Sequence, residues 1–258
     1  MAAREKGGFW VGVAAMLFYP LTWLTRRIHR GAHNIPRQGG AIVVMNHVSH
    51  LDPPVDAVFI HRQGRVPRFL AKDSLFRAPV FRHIIGGAGS IPVYRGSSEA
   101  GDSLRAAKEA LREGKLVVIY PEGTITRDPD WWPMTPFTGV ARLALDTLDD
   151  DVPVIPAARW GTQEVFNGYT KKFRPFPRKP VNIVVDEPMD LSSYRGRPVT
   201  TIALREVTDL VMNRVKELLA DIREEPAPAE FFPRGGKRSD QDTGQETKPA
   251  ESADERSA

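Results

Sequence analysis

The apolar and polar positions of this 258-residue chain alternate between short hydrophobic runs and amphipathic stretches. Ala41-Ile42-Val43-Val44-Met45 and Leu116-Val117-Val118-Ile119-Tyr120 are unbroken apolar runs, the pattern of strands buried on both faces of a sheet. Residues 67–71, 90–93, 152–158 and 181–185 predict further strands, with Pro92 marking an edge position or a strand end. Residues 55–60, 75–85, 97–112, 138–148 and 200–222 predict helices. The third of these places Leu104, Ala107 and Leu111 on one face and stops at Gly114. Strands alternating with helices predict an α/β fold, a mostly parallel central sheet flanked by helices. No internal repeat is apparent.

The two ends read differently. Residues 8–24 are mostly apolar and rich in aromatics, with Arg4 and Lys6 before them and Arg26, Arg27 and Arg30 after. A spanning helix wants ~20 apolar residues; this run is shorter and holds Pro20. Arginines follow it where a secretory signal would have a small-residue cleavage site. Residues 1–30 are therefore expected to form an N-terminal membrane-interface helix. Residues 31–223 hold the α/β domain. Residues 224–258 are rich in Pro, Glu, Ser and Asp, and are expected to be a disordered acidic tail.

Charge sharpens the choice of partner. The formal charge is +4, but nine acidic against five basic residues from Glu224 onward leave +8 on the rest of the chain. A basic body suits an anionic partner: nucleic acid, anionic lipid or a phosphorylated substrate. No groove-entering or RNA-binding motif is present, so nucleic acid is set aside. The absence of cysteine excludes a thiolate nucleophile, a disulfide framework and a Cys-based metal site.

Candidate chemistry gathers at Asn46-His47-Val48-Ser49-His50-Leu51-Asp52, directly after the first buried strand. In open α/β sheets ligands bind beyond the carboxyl ends of strands. His47 and Asp52 are five residues apart and would lie on different faces of one helix, so the chain must turn for them to meet. A neutral imidazole accepts a proton near pH 7, and a carboxylate on its other nitrogen fixes the tautomer. Ser49 lacks the Gly-x-Ser-x-Gly elbow of a nucleophile. A metal on His47, His50 and Asp52 is disfavoured, because the next histidine, His61, matches no ligand spacing. Tyr120-Pro121-Glu122-Gly123-Thr124 follows the other buried strand, bringing Glu122 to the same sheet edge. Lys72 and Arg95 each follow a predicted strand, where a cation suits a phosphate.

Four ordered blocks carry a resemblance: Asn46-His47-x-Ser49-x-x-Asp52, Gly89-x-Ile91-Pro92-Val93-x-Arg95, Tyr120-Pro121-Glu122-Gly123-Thr124 and Val152-Pro153-Val154-Ile155-Pro156. In order and spacing, over about residues 30–190, the chain resembles the glycerolipid acyltransferase superfamily, in particular bacterial 1-acyl-sn-glycerol-3-phosphate acyltransferases. The resemblance implies transfer of a fatty acyl group from acyl-CoA or acyl-carrier protein to the sn-2 hydroxyl of lysophosphatidate, with no cofactor and no metal. His47 would be the general base and Asp52 its orienting carboxylate. Lys72, Arg95, Glu122, Gly123 and Thr124 would bind the phosphorylated acceptor, and Pro156 would lie on the donor side. Where the third block commonly continues with Arg, Ile125 stands here, and Arg127 is expected to take over that contact. Tyr94 and Phe137 also depart from the family pattern, at positions where an acidic residue and a lysine are frequent. The alternatives are another lysolipid, a glycolipid or glycerol 3-phosphate as acceptor, or an inactive membrane-associated binding protein. The expected location is the cytoplasmic face of the cell membrane, peripheral or monotopic, on an anionic lipid surface.

Overall fold

The two unbroken apolar runs stand at the centre of a seven-stranded sheet, where both of their faces are covered. The computed structural model describes residues 5–79, 82–94 and 100–236. Its strands are β1 (Thr25–Arg30), β2 (Ala41–Met45), β3 (Pro67–Lys72), β4 (Ile91–Val93), β5 (Leu116–Ile119), β6 (Val154–Trp160) and β7 (Lys179–Val185). They lie in the order β1-β7-β6-β2-β5-β3-β4, and every neighbouring pair is parallel except β6–β7. The helices are α1 (Phe9–Leu21), α2 (Asp52–Arg62), α3 (Ala100–Arg112), α4 (Gly139–Asp146), the single turn α5 (Thr162–Val165) and α6 (Thr201–Arg223).

Strand alternation sends Ile42 and Val44 to one side, against Leu111 of α3, Val140 of α4 and Val211 of α6. Ala41, Val43 and Met45 go to the other side, against Val55 and Phe59 of α2. This double cover is why β2 and β5 show no polar alternation. Helix α6 starts cleanly because the Thr200 hydroxyl accepts a hydrogen bond from the Ala203 amide at 3.1 Å. Helix α2 opens on Asp52-Pro53-Pro54, where prolines cost nothing because the first-turn amides have no helical acceptor.

Three expectations change. Residues 25–30 are not part of the N-terminal helix: they form β1, an edge strand in register with β7 from Thr25↔Lys179 to Arg30↔Val184. The charges Arg26, Arg27 and Arg30 suit an edge, where they discourage pairing with another chain. Residues 75–85 do not form one helix; a 3₁₀ turn covers Asp73–Arg77 and a π-helical turn Arg82–Gly86. Helix α1 lies across α2 and that π turn, with the Tyr19 hydroxyl 2.9 Å from His61 Nδ1 and Trp10 stacked on His83. Among the described residues no helix is long and apolar enough to cross a membrane.

The third change is at the C-terminal end. The chain does not leave the body at Glu224. Residues 225–236 fold back along the loop before α4. The Phe232 carbonyl accepts from the Thr135 amide at 2.9 Å, and Phe232 N donates to the Pro133 carbonyl at 3.3 Å. Lys216 donates to the Ala229 carbonyl and lies over Phe231, while Arg234 donates to the Thr135 carbonyl and covers Phe137. Residues 237–258 of the expected tail lie outside the described residues. A chain stopped after Glu225 is expected to melt about 4–8 °C below one stopped after Gly236, for a loss of about 2 kcal/mol in a body of this size. Paired thermal melts check this, and equal midpoints would contradict the docking of this segment.

Candidate active site

Strands β2, β3, β4, β5 and β6 run the same way, so the turns after β2, β3, β5 and β6 meet on one edge. Between β2 and α2 the chain turns sharply, and His47 Nδ1 comes to 2.8 Å from Asp52 Oδ2. The same oxygen accepts the amides of Val48 at 2.7 Å and Ser49 at 2.9 Å. The other oxygen accepts the Thr162 hydroxyl at 2.5 Å. Thr162 reaches it because Gly161 turns at φ +110°, where any Cβ would lie 2.0 Å from the Pro180 carbonyl oxygen. Burial raises the Asp52 pKa, but Arg159, His47 and Thr162 outweigh it and hold the carboxyl below the usual range. An ionised Asp52 only accepts, so His47 Nδ1 is the donor of this pair and Nε2 is the ring nitrogen left outside it.

Beneath this pair lies a buried network with no counterpart in the sequence expectations. Arg159 of β6 is fully buried, with Nη2 2.5 Å from Asp56 Oδ2 and Nη1 3.6 Å from Asp52 Oδ1. Tyr120 donates its hydroxyl to Asp56 at 2.5 Å, and its ring stacks on His47 at 4.6 Å between centroids. Burial lifts Asp56 to about 7, opposed by Arg159 and reinforced by the charge of Asp52. Asp56 has the shorter contact with Arg159, yet Asp52 is the one held ionised. The difference is hydrogen bonding: four donors converge on Asp52, while among the described residues Asp56 Oδ1 has none. The sequence did carry a signal here. Arg159 interrupts an apolar strand, and a cation buried in a sheet needs carboxylates; Asp52 and Asp56 are four apart on α2.

The sequence-predicted residues divide into two groups. His47, Lys72, Gly123 and Thr124 line one apolar cavity of about 750 Å³, whose far wall is made by Val11, Ala15 and Phe18 of α1. His50 also lines it, with a pKa lowered by burial and by Lys171 and His47. Gly123 makes its turn at φ +75°. The remainder lie elsewhere. Glu122 is buried and does not face the cavity; its Oε1 accepts the His47 amide at 2.8 Å and its Oε2 the Met134 amide at 2.9 Å. With both oxygens committed, Glu122 ties the two turns together and is not placed to hold a phosphate. Arg127 is exposed outside the cavity, and its guanidinium donates to the Arg234 carbonyl at 3.3 Å. Pro156 is buried within β6 beside Val44. Arg95 lies outside the described residues. Ser49 and Asn46 are structural: the Ser49 hydroxyl donates to the Phe166 carbonyl, and the Asn46 amide bonds the Arg159 backbone in both directions.

A histidine–carboxylate pair thus stands at the mouth of an apolar cavity on the edge of an α/β sheet. The sequence model of the acyltransferase family matches residues 26–160, and the chain belongs to that family. It is 32% identical over 148 residues to a 1-acyl-sn-glycerol-3-phosphate acyltransferase of Borreliella burgdorferi, covering 56% of each chain. It is 28% identical over 183 residues to an N-acylphosphatidylethanolamine synthase of Arabidopsis thaliana, covering 65% of this chain and 62% of that one. The chain thus spans little more than half the length of these curated relatives. Its fold is similar to that of the 1-acyl-sn-glycerophosphate acyltransferase PlsC from Thermotoga maritima. That match has a TM-score of 0.57 and 26% identity, covering 81% of this chain and 80% of that one.

Burial pushes the Glu122 carboxyl from 4.5 up to about 8, against the pull of the Met134 and His47 amides. The folded chain therefore holds a proton that the unfolded chain releases above about 4.5. The stability this group adds is full at low pH and is lost as pH rises toward about 8. Glu122→Gln does not titrate, and it leaves one of the two backbone amides facing an NH₂ group, a cost of about 1–3 kcal/mol. The variant is expected to be less stable than wild type at pH 5, with the gap narrowing toward pH 8. Denaturant melts across that range check it, and a gap that widens with pH would contradict the assignment.

Proposed function

We propose that this protein is an O-acyltransferase that moves a fatty acyl group from acyl-CoA or acyl-carrier protein to the sn-2 hydroxyl of 1-acyl-glycerol 3-phosphate, giving phosphatidic acid. The observation that carries the reading is His47. Its Nδ1 is engaged by a buried, ionised Asp52, and its ring borders an apolar cavity large enough for a lipid chain. His47 Nε2 takes the hydroxyl proton of the acceptor. The freed oxygen attacks the thioester carbonyl, and the tetrahedral intermediate collapses to expel the donor's sulfur, to which the proton passes. Asp52 stabilises the imidazolium while the proton is held. No acyl-enzyme forms in this sequence, which suits a chain without cysteine.

Lys72 stands at the cavity as the cation for the acceptor phosphate, with Gly123 and Thr124 beside it. Arg95 joins them through its place in the second sequence block. The unit carrying this chemistry runs from α1 through residue 236. Helix α1 supplies both a cavity wall and the exposed side chains Phe9, Met16 and Leu17, which support a peripheral seat on a membrane, taken in this proposal to be its cytoplasmic face. The likeness to the A. thaliana synthase supports a second acceptor class, an aminophospholipid, for which the same base would serve an amine.

Labelled acyl-CoA offered with lysophosphatidate, other lysolipids, phosphatidylethanolamine and glycerol 3-phosphate tests the reading. His47→Ala is expected to lose about 10²–10⁴-fold in kcat, and Asp52→Asn a comparable amount with KM little changed. Transfer by His47→Ala at the wild-type rate would sink the mechanism. In the same assay Lys72→Ala is expected to raise the KM for the phosphorylated acceptor about tenfold, more than Arg127→Ala does. The reverse order would return the phosphate to Arg127.

A further inference from the structure

Residues 171–179 have a composition that no role described above uses. Lys171, Lys172, Arg174, Arg178 and Lys179 interleave with Phe173 and Phe176, and no acidic residue occurs between Glu164 and Asp186. Both phenylalanines stand out from the surface, Phe173 at 53% and Phe176 at 71% exposure. Among the described residues none of the five cations forms an ion pair with a carboxylate.

The fold puts this run beside the cavity mouth. Because β7 runs against β6, its first residue, Lys179, lies on the sheet edge where β6 ends and where His47 stands. Strand β1 runs with β7, and the pairing Thr25↔Lys179 brings the end of α1 and the exposed Trp23 to the same edge. Burial and the charges of Arg62 and Arg178 all lower the Arg27 pKa, so these guanidiniums share one positive field. The run emerges from a hairpin closed by Asn167 N on the Lys172 carbonyl and braced on both catalytic turns. Ser49 donates to the Phe166 carbonyl at 2.7 Å, and the Tyr169 hydroxyl donates to the Thr126 carbonyl at 2.7 Å.

We propose that residues 171–179, together with Trp23 and the outer face of α1, form one surface that docks on an anionic phospholipid bilayer and holds the cavity mouth at the lipid interface. The proposal rests on the reading that the acceptor is a membrane lipid. Two exposed phenylalanines among unpaired cations match a bilayer, where rings enter the headgroup boundary and cations meet lipid phosphates. An acidic carrier protein would satisfy the cations but gives no reason for both rings to be exposed.

Sedimentation of the full chain with vesicles of phosphatidylcholine, alone or with 30 mol% phosphatidylglycerol, tests it. The combined variant Lys171→Ser, Lys172→Ser, Arg174→Ser and Arg178→Ser is expected to lose about tenfold or more in partitioning to the anionic vesicles and little to the neutral ones. Phe173→Ser with Phe176→Ser is expected to weaken both. Wild-type binding by both variants would overturn the proposal. So would a charge variant that binds vesicles normally but loses transfer only from acyl-carrier protein, since the patch would then dock that donor. As the chain has no cysteine, Phe176→Cys accepts a single polarity-sensitive dye. A blue shift on anionic vesicles is expected, and sedimentation without a shift would also count against the surface. In detergent micelles both loop variants should transfer acyl groups at the wild-type rate. Should wild type itself transfer nothing while the vesicle results hold, the enzymatic reading fails and the docking surface stands.

Discussion

The site depends on keeping one buried carboxylate charged. Asp52 is fully buried, and burial alone would raise its pKa. It stays ionised because its two oxygens gather a ring nitrogen, two amides and a hydroxyl, with Arg159 3.6 Å away. Those partners come from the turn after β2, the start of α5 and the interior of β6. A single charge thus fixes the relative position of three segments, and with it the tautomer of His47. The same donors that keep the charge stable also define the shape of the turn.

Glu122 performs a second linking task by a different route. Its oxygens accept one amide from the His47 turn and one from the loop that precedes α4. That loop in turn pairs with Phe232 of the C-terminal segment. Residues 225–236 are therefore linked to the His47 turn through Met134 and the Glu122 side chain. The reversal of β7 adds a separate consequence: it turns what would be the far end of the sheet's edge toward the catalytic side. Helix α1, the start of the basic edge strand and the hairpin after β6 consequently share the side on which His47 and the apolar cavity lie.

Much of this was legible in the chain. Strand and helix periodicity located the sheet and its flanking helices, and the strand-end rule located His47 and Asp52. The misreadings have physical causes. Residues 25–30 are charged and lack alternation, so only pairing with β7 makes them a strand. Glu122 reads as a ligand-binding carboxylate by position, but the direction of its side chain depends on two amides brought from elsewhere. Residues 225–236 are polar and proline-rich, yet Phe231, Phe232 and Arg234 find partners on the body.

The sequence by itself determined the class of fold and the strand-end turn that holds His47 and Asp52, because hydrophobic period and the order of residues at strand ends are local properties. Only the tertiary structure decided which charged groups face the cavity and which are spent in holding it. That division turns on burial and on donors from distant segments. Lys72 reaches the cavity while Arg127 turns to Arg234, and Arg159, absent from the sequence expectations, becomes the counter-charge for two aspartates. A group's role follows from what surrounds it after folding, and spacing along the chain does not contain that information.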